Sequence, residues 1–163
     1  MPHQRYILIE TIISAVLNAI VGTLFVFLMF GGMPQIGLWG EAGLAFDLVP
    51  TVFMITLMTT IALTLITRSR IAAGKVARAA PVSGLPSNPI VRGLLFAVAA
   101  ALTIAPVSAA ILYAIWPVTG DWTFNTVLVF KIAYCALLGL LITPTIVRHA
   151  LRSGNNSQAE LDR

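Results

Sequence analysis

The sequence predicts an all-α integral membrane protein, a four-helix bundle that crosses a bilayer four times. Of its 163 residues, 58% are hydrophobic and only 10% are charged, whereas a soluble domain is about half apolar and about a quarter charged. The apolar residues form four long segments, and arginine and lysine collect between these segments on one side only. Such an excess of apolar side chains needs lipid as its solvent.

Each of the four segments is long enough to span the hydrocarbon core, which takes about 20 residues at a rise of about 1.5 Å per residue. We predict helices over about 7–30, 48–67, 94–116 and 124–147. The first segment is too long for a signal-peptide core, and no small-residue cleavage site follows it, so we expect a retained helix. Residues 1–152 form the predicted membrane domain, and the polar stretch 153–163 is predicted to be a disordered tail.

The basic residues outside the segments predict the orientation. They lie near the N-terminus, between residues 68 and 92, and after residue 147, whereas the loops 31–47 and 117–123 carry acidic residues and no arginine or lysine. By the positive-inside rule, both termini and the central connection are cytoplasmic. In the central connection, Ile71 to Ala80 is predicted to form a short surface helix.

A weak internal repeat suggests two tandem helical hairpins as one form of the bundle. Each half has a helix, an acidic loop, a second helix and a terminal arginine, and Phe46-Asp47 matches Phe124-Asn125 at the start of the second helix. Two such hairpins of equal orientation would be related by an axis along the membrane normal. Four helices without duplication are the alternative.

Polar residues on the first helix belong to the candidate functional site. Glu10, Ser14 and Asn18 recur every fourth residue and therefore share one face, which is expected to point into the bundle. An alternative role for Glu10 is an ion pair with Arg5 or Arg92 at the inner interface.

Lys131 on the fourth helix completes the candidate intramembrane polar site. At about 1.5 Å per residue, Asn18 lies at a similar depth, whereas Glu10 lies about 14 Å nearer the cytoplasmic face. If Lys131 has an internal partner, Asn18 is therefore a better candidate than Glu10. Two alternatives remain: Lys131 extends toward the outer headgroups near Asp47 or Asp121, and Asn18 only fixes helix packing.

The third helix carries a ridge of small side chains that predicts close helix packing. Small residues let helix backbones approach each other where lipid supplies no hydrophobic driving force. The ridge recurs every four residues and consists of Gly93, Ala97, Ala101, Ala105 and Ala109. A related stripe on the fourth helix consists of Lys131, Cys135, Gly139 and Thr143.

The residue pattern also excludes several functions. His3 and His149 lie at opposite ends of the chain, Cys135 is the one cysteine, and no catalytic or metal-ligand spacing is present. We expect neither an enzyme nor a bound cofactor or metal. The net charge of +4 comes from basic residues that flank apolar segments rather than form a stripe, so no nucleic-acid partner is expected.

The chain resembles a family of small four-helix proteobacterial inner-membrane proteins that has no assigned activity. The resemblance implies a bacterial inner-membrane location and no particular chemistry. The residues that carry it are Leu38-Trp39-Gly40, Asp47, Pro50, Thr67-Arg68-Ser69-Arg70 and Lys131.

Two functions remain open from the sequence. The first is a transporter or channel component that uses the polar site. Such a small bundle would need to assemble as an oligomer in order to enclose a pathway. The second is a non-transporting structural or accessory subunit that packs against a partner through the third helix. The expected partners are membrane lipids and either further copies of the chain or another membrane protein.

Overall fold

The computed structural model describes residues 2–40, 43–77, 79, 86 and 88–152. Four helices make up most of it: α1 (His3–Phe30), α2 (Leu44–Ala72), α3 (Pro89–Thr119) and α4 (Phe124–Arg152). All four are long and apolar enough to cross a membrane. The predicted fold class, an all-α four-helix membrane bundle, is confirmed. The predicted tail 153–163 lies outside the described residues.

The helices extend beyond the predicted apolar segments because a charged residue ends an apolar run without ending a helix. Asp47 lies in the first turn of α2 rather than in a loop, and Arg92 is the fourth residue of α3. The predicted separate helix over Ile71 to Ala80 is wrong at its start, since α2 continues to Ala72. Gly74 then turns the chain with a φ of +68°, a conformation that glycine adopts without strain.

Among the described residues, α2 and α3 are the only consecutive helices that are main packing partners. The main contacts are α1 with α4, α4 with α2, and α2 with α3, whereas α1 and α2 touch only sparsely. The first helix of each proposed hairpin therefore packs against the second helix of the other hairpin. The contacts of α1 with α4 and of α3 with α2 are equivalent under a two-fold axis, as a duplication would produce. The two hairpins nevertheless do not pack as separate units.

The two ends of the bundle differ in structure. At the loop end, the strands β1 (Gln35–Ile36) and β2 (Trp122–Thr123) pair antiparallel and tie the two short connections together. Ile36 and Leu38 of the first connection are buried in the core, whereas Trp39 is exposed. At the other end, which we call the basic end, α1 and α3 begin and α2 and α4 finish. There His3 Nε2 lies 2.8 Å from the carbonyl oxygen of Ala77.

Two glycines explain the close approach of α1 and α4. A Cβ at Gly139 would lie 2.9 Å from the Cα of Ala15, and a Cβ at Gly22 would lie 2.5 Å from the Sγ of Cys135. Both distances are shorter than van der Waals contact. The polar stripe of α1 therefore faces the stripe that starts at Lys131 on α4.

The small-residue ridge of α3 packs against α2. Gly93, Ala97 and Ala105 are buried, and a Cβ at Gly93 would lie 3.1 Å from a side-chain methyl of Leu57 on α2. Ala101 and Ala109 are only partly buried. Most of the ridge is therefore used inside the bundle.

Candidate functional site

A buried ion pair joins α2 and α4 near the loop end. The Nζ of Lys131 donates to the Oδ2 of Asp47 and to the Oγ1 of Thr51, and both distances are 2.5 Å. The Lys131 side chain is 0% exposed and that of Asp47 is 6% exposed. Ionised side chains within a membrane bundle are costly and usually mark a functional site.

The sequence around each partner positions the pair. Asp47 lies in the first turn of α2, where the helix dipole stabilises a negative charge. Lys131 is seven residues past the start of α4, about 10 Å along the helix axis. It also belongs to the buried stripe of α4, which faces the bundle interior.

A second polar layer lies deeper in the bundle and connects three helices. The Oγ1 of Thr143 donates to the Oγ of Ser14 over 2.8 Å, and the amide of Asn18 donates to the same oxygen over 3.3 Å. The hydroxyl of Thr59 donates to the Oδ1 of Asn18 over 3.4 Å. Ser14 and Asn18 are thus hydrogen-bonded across α1, α2 and α4.

Glu10 pairs at the basic end with an arginine that the sequence did not single out as its partner. The Nη1 of Arg70 donates to the Oε1 of Glu10, and the guanidinium also lies 5.2 Å from the ring centroid of Tyr6. The Tyr6 hydroxyl is 3.0 Å from the Oγ1 of Thr67. The proposed partners Arg5 and Arg92 are not the ones used.

Arg92 is a buried cation that the sequence prediction placed at the inner interface. It is 1% exposed, and its Nη2 donates to the Oγ1 of Thr64 over 2.5 Å. Its Nε and Nη1 are buried without an acceptor among the described residues. Its position at the end of a basic connection gave no signal of this burial.

A cleft of about 460 Å³ lies between α1 and α2, which touch only sparsely. Val21, Phe25 and Met58 are more than 40% exposed, so the cleft opens on the side of the bundle. It reaches both the ion pair and the second polar layer. Its lining consists of Asn18, Val21, Gly22, Phe25, Met29, Asp47, Pro50, Thr51, Met54, Ile55 and Met58.

The structure brings only part of the predicted polar site together. Ser14 and Asn18 share one layer, Lys131 lies nearer the loop end with Asp47, and Glu10 lies at the basic end. Neither Asn18 nor Glu10 is the partner of Lys131, because the first turn of α2 brings Asp47 next to its ammonium. The alternative in which Lys131 extends toward the headgroups near Asp47 named the right partner, but its side chain is fully buried rather than exposed at the headgroups.

No family model matches the chain, and neither a curated protein nor a solved structure is significantly similar to it. The fold and its buried charges define a small polytopic membrane protein. Among the described residues, no three His, Cys, Asp or Glu side chains lie close enough to hold a metal ion. The buried Asp47–Lys131 pair is therefore the feature of the chain that points to an activity.

Proposed function

We propose that the protein is a transporter component that acts as an oligomer and exchanges a cation for a proton at the Asp47–Lys131 pair. The observation that carries the proposal is the complete burial of Lys131 against Asp47 beside a cleft that reaches the same carboxylate. Burying two charges costs more than their attraction returns in many proteins, so stability alone is a weak reason to retain them.

The exchange follows from the chemistry of the pair. In the proposed exchange, an ionised Asp47 is balanced by one positive partner, the ammonium of Lys131, which it contacts. A cation that arrives at Asp47 is favoured when Lys131 gives up its proton, because the site then again holds a single positive charge. One proton would pass from Lys131 to water for each monovalent cation bound, and on release of the cation Lys131 would take up a proton from water again.

We further propose that the basic end faces the cytoplasm of a bacterial cell. The support is the positive-inside rule, since the arginines and lysine of the connections gather at this end and the loop end has none. With this orientation, the Asp47–Lys131 pair lies nearer the outer face.

The second candidate, a non-transporting subunit that packs through α3, has less support. Gly93, Ala97 and Ala105 face α2 within the same chain, so they are not available to a partner. A partner would have to bind the remaining exposed apolar face of α3, which is also suited to contact with lipid.

The experiment is proton release from proteoliposomes that contain a pH-sensitive dye. Monovalent cations from sodium to quaternary ammonium salts are added outside, and the proposal predicts proton movement with at least one of them. Lys131→Met and Asp47→Asn should abolish the signal. Asp121→Asn is the matched control, because Asp121 is an exposed acid of the loop end. Proton movement that survives both pair variants would refute the proposal.

A further inference from the structure

The two members of the ion pair differ in their access to the α1–α2 cleft. Asp47 and Thr51 line the cleft, whereas Lys131 does not line it and is 0% exposed. Lys131 is bonded to the Oδ2 of Asp47. A molecule in the cleft therefore meets a carboxylate and a hydroxyl without meeting the ammonium.

The rest of the cleft wall suits the apolar part of a cationic molecule. Phe25 offers an aromatic ring, and Met29, Met54 and Met58 offer flexible, polarizable thioethers. Aromatic faces attract cations, and methionine adapts to ligands of different shape. The volume of about 460 Å³ falls within the range of about 300–1,000 Å³ for small-molecule pockets.

We propose that this cleft binds a lipophilic organic cation, with its ammonium group at the Asp47 carboxylate and its apolar body between α1 and α2. This inference rests on the proposed function in one respect: the bound cation would be the species exchanged for the proton of Lys131. An inorganic cation would leave the apolar walls unfilled. A neutral apolar molecule would gain nothing from the carboxylate.

The test is equilibrium binding to the protein in lipid nanodiscs, corrected for binding to empty discs. The probe is benzyltrimethylammonium, and its neutral isostere neopentylbenzene is the control ligand. We expect the cation to bind about tenfold more tightly or better, which corresponds to about 1.4 kcal/mol. A neutral isostere that binds equally well would overturn the proposal.

Variants of the ion pair distinguish direct contact between Asp47 and the cation from a purely structural role of the pair. Lys131→Met should raise the affinity for the cation about tenfold, because the ammonium that competes for Asp47 is gone. The double variant Asp47→Asn, Lys131→Met carries no buried charge at the pair. It should lose the preference for the cation and still bind the neutral isostere, which shows that the cleft is intact.

A bulky side chain in the cleft tests whether the probes bind there. Met54→Trp should weaken binding of both probes about tenfold or more, since the indole fills the space between the helices. Leu65→Trp is the matched control, because Leu65 is an exposed residue of α2 that does not line the cleft. If Met54→Trp and Leu65→Trp bound the probes equally well, the probes would not bind in the α1–α2 cleft.

The binding and proton-release measurements test the two proposals independently, so that either proposal can be refuted while the other is supported. Cation-selective binding without proton movement would support the cleft and refute the exchange function. Proton movement driven by sodium or potassium without cation-selective binding of the aromatic probe would support the exchange function and refute the lipophilic ligand.

Discussion

Lys131 and Asp47 are 84 residues apart in the sequence, and yet the Lys131 ammonium lies 2.5 Å from the Asp47 carboxylate inside the bundle. The contact connects α4 to α2, the two helices at the centre of the packing order. Each member would be a costly unpaired charge without the other. Both the proposed exchange and the proposed cation site follow from this pairing.

Removing Arg70 and removing Glu10, the two members of the ion pair at the basic end, should lower the stability of the protein by different amounts. The Glu10 side chain is 3% exposed, whereas that of Arg70 is 37% exposed and also lies over the Tyr6 ring. Arg70→Met leaves a buried carboxylate unpaired and should destabilise the protein by about 2–3 kcal/mol. Glu10→Gln leaves an arginine that solvent can reach, and it should cost about 1 kcal/mol or less. Unfolding of the two variants in detergent measures both losses of stability. Equal losses would show that the difference in burial between Glu10 and Arg70 has no effect on stability.

Close packing of α1 on α4 predicts a rescue between Gly22 and Cys135. Gly22→Ala places a Cβ against the Sγ and Cβ of Cys135, so it should destabilise the bundle by about 1–3 kcal/mol. Cys135→Gly removes both clashing atoms, and the double variant should recover most of the loss in a thermal unfolding experiment. Ala133→Leu is the control for added bulk, because Ala133 is exposed on α4. Additive effects of the two changes would contradict direct contact.

Two alanines of α3 should differ in their tolerance of a larger side chain. Ala97 is 0% exposed in the ridge that packs on α2, whereas Ala99 is exposed on another face. Ala97→Leu should force α3 away from α2 and lower stability by about 1–3 kcal/mol. Ala99→Leu should change it by less than about 0.5 kcal/mol. Thermal unfolding of both variants measures the difference, and the reverse order would show that the ridge faces outward.

Labelling of introduced cysteines tests the orientation. The native Cys135 is buried at 0% exposure, so an impermeant maleimide should leave the wild-type protein unlabelled in intact cells. Trp39→Cys at the loop end should be labelled from outside. Lys75→Cys at the basic end should react only after the membrane is permeabilised. The opposite pattern would invert the proposed topology.

The number of helices could be predicted from the sequence because apolar length is a local property. The stripe of Glu10, Ser14 and Asn18 could be predicted as a buried face because helical periodicity places residues four apart together. All three are buried. The partner of each residue could not be predicted in the same way, since it depends on which helices pack together.

The packing order explains what the sequence missed. Nothing in the local pattern says that α1 packs on α4 rather than on α2, and that choice opens the α1–α2 cleft. The loop was predicted to run to Asp47 because the apolar run begins after it, although the repeat placed Phe46-Asp47 at the start of the second helix and an acidic residue suits the first turn of a helix. Arg92 was placed at the interface for the same reason.

A double-mutant cycle in Lys131 and Asp47, measured by unfolding and by proton release from proteoliposomes, tests the central claim most directly. We predict that Lys131→Met and Asp47→Asn each cost about 3–5 kcal/mol in stability, because each leaves a buried polar group or charge unpaired. The double variant should lie within about 1 kcal/mol of the wild type and should release no protons. Additive losses of stability, or a double variant with the proton movement of the wild type, would contradict the account.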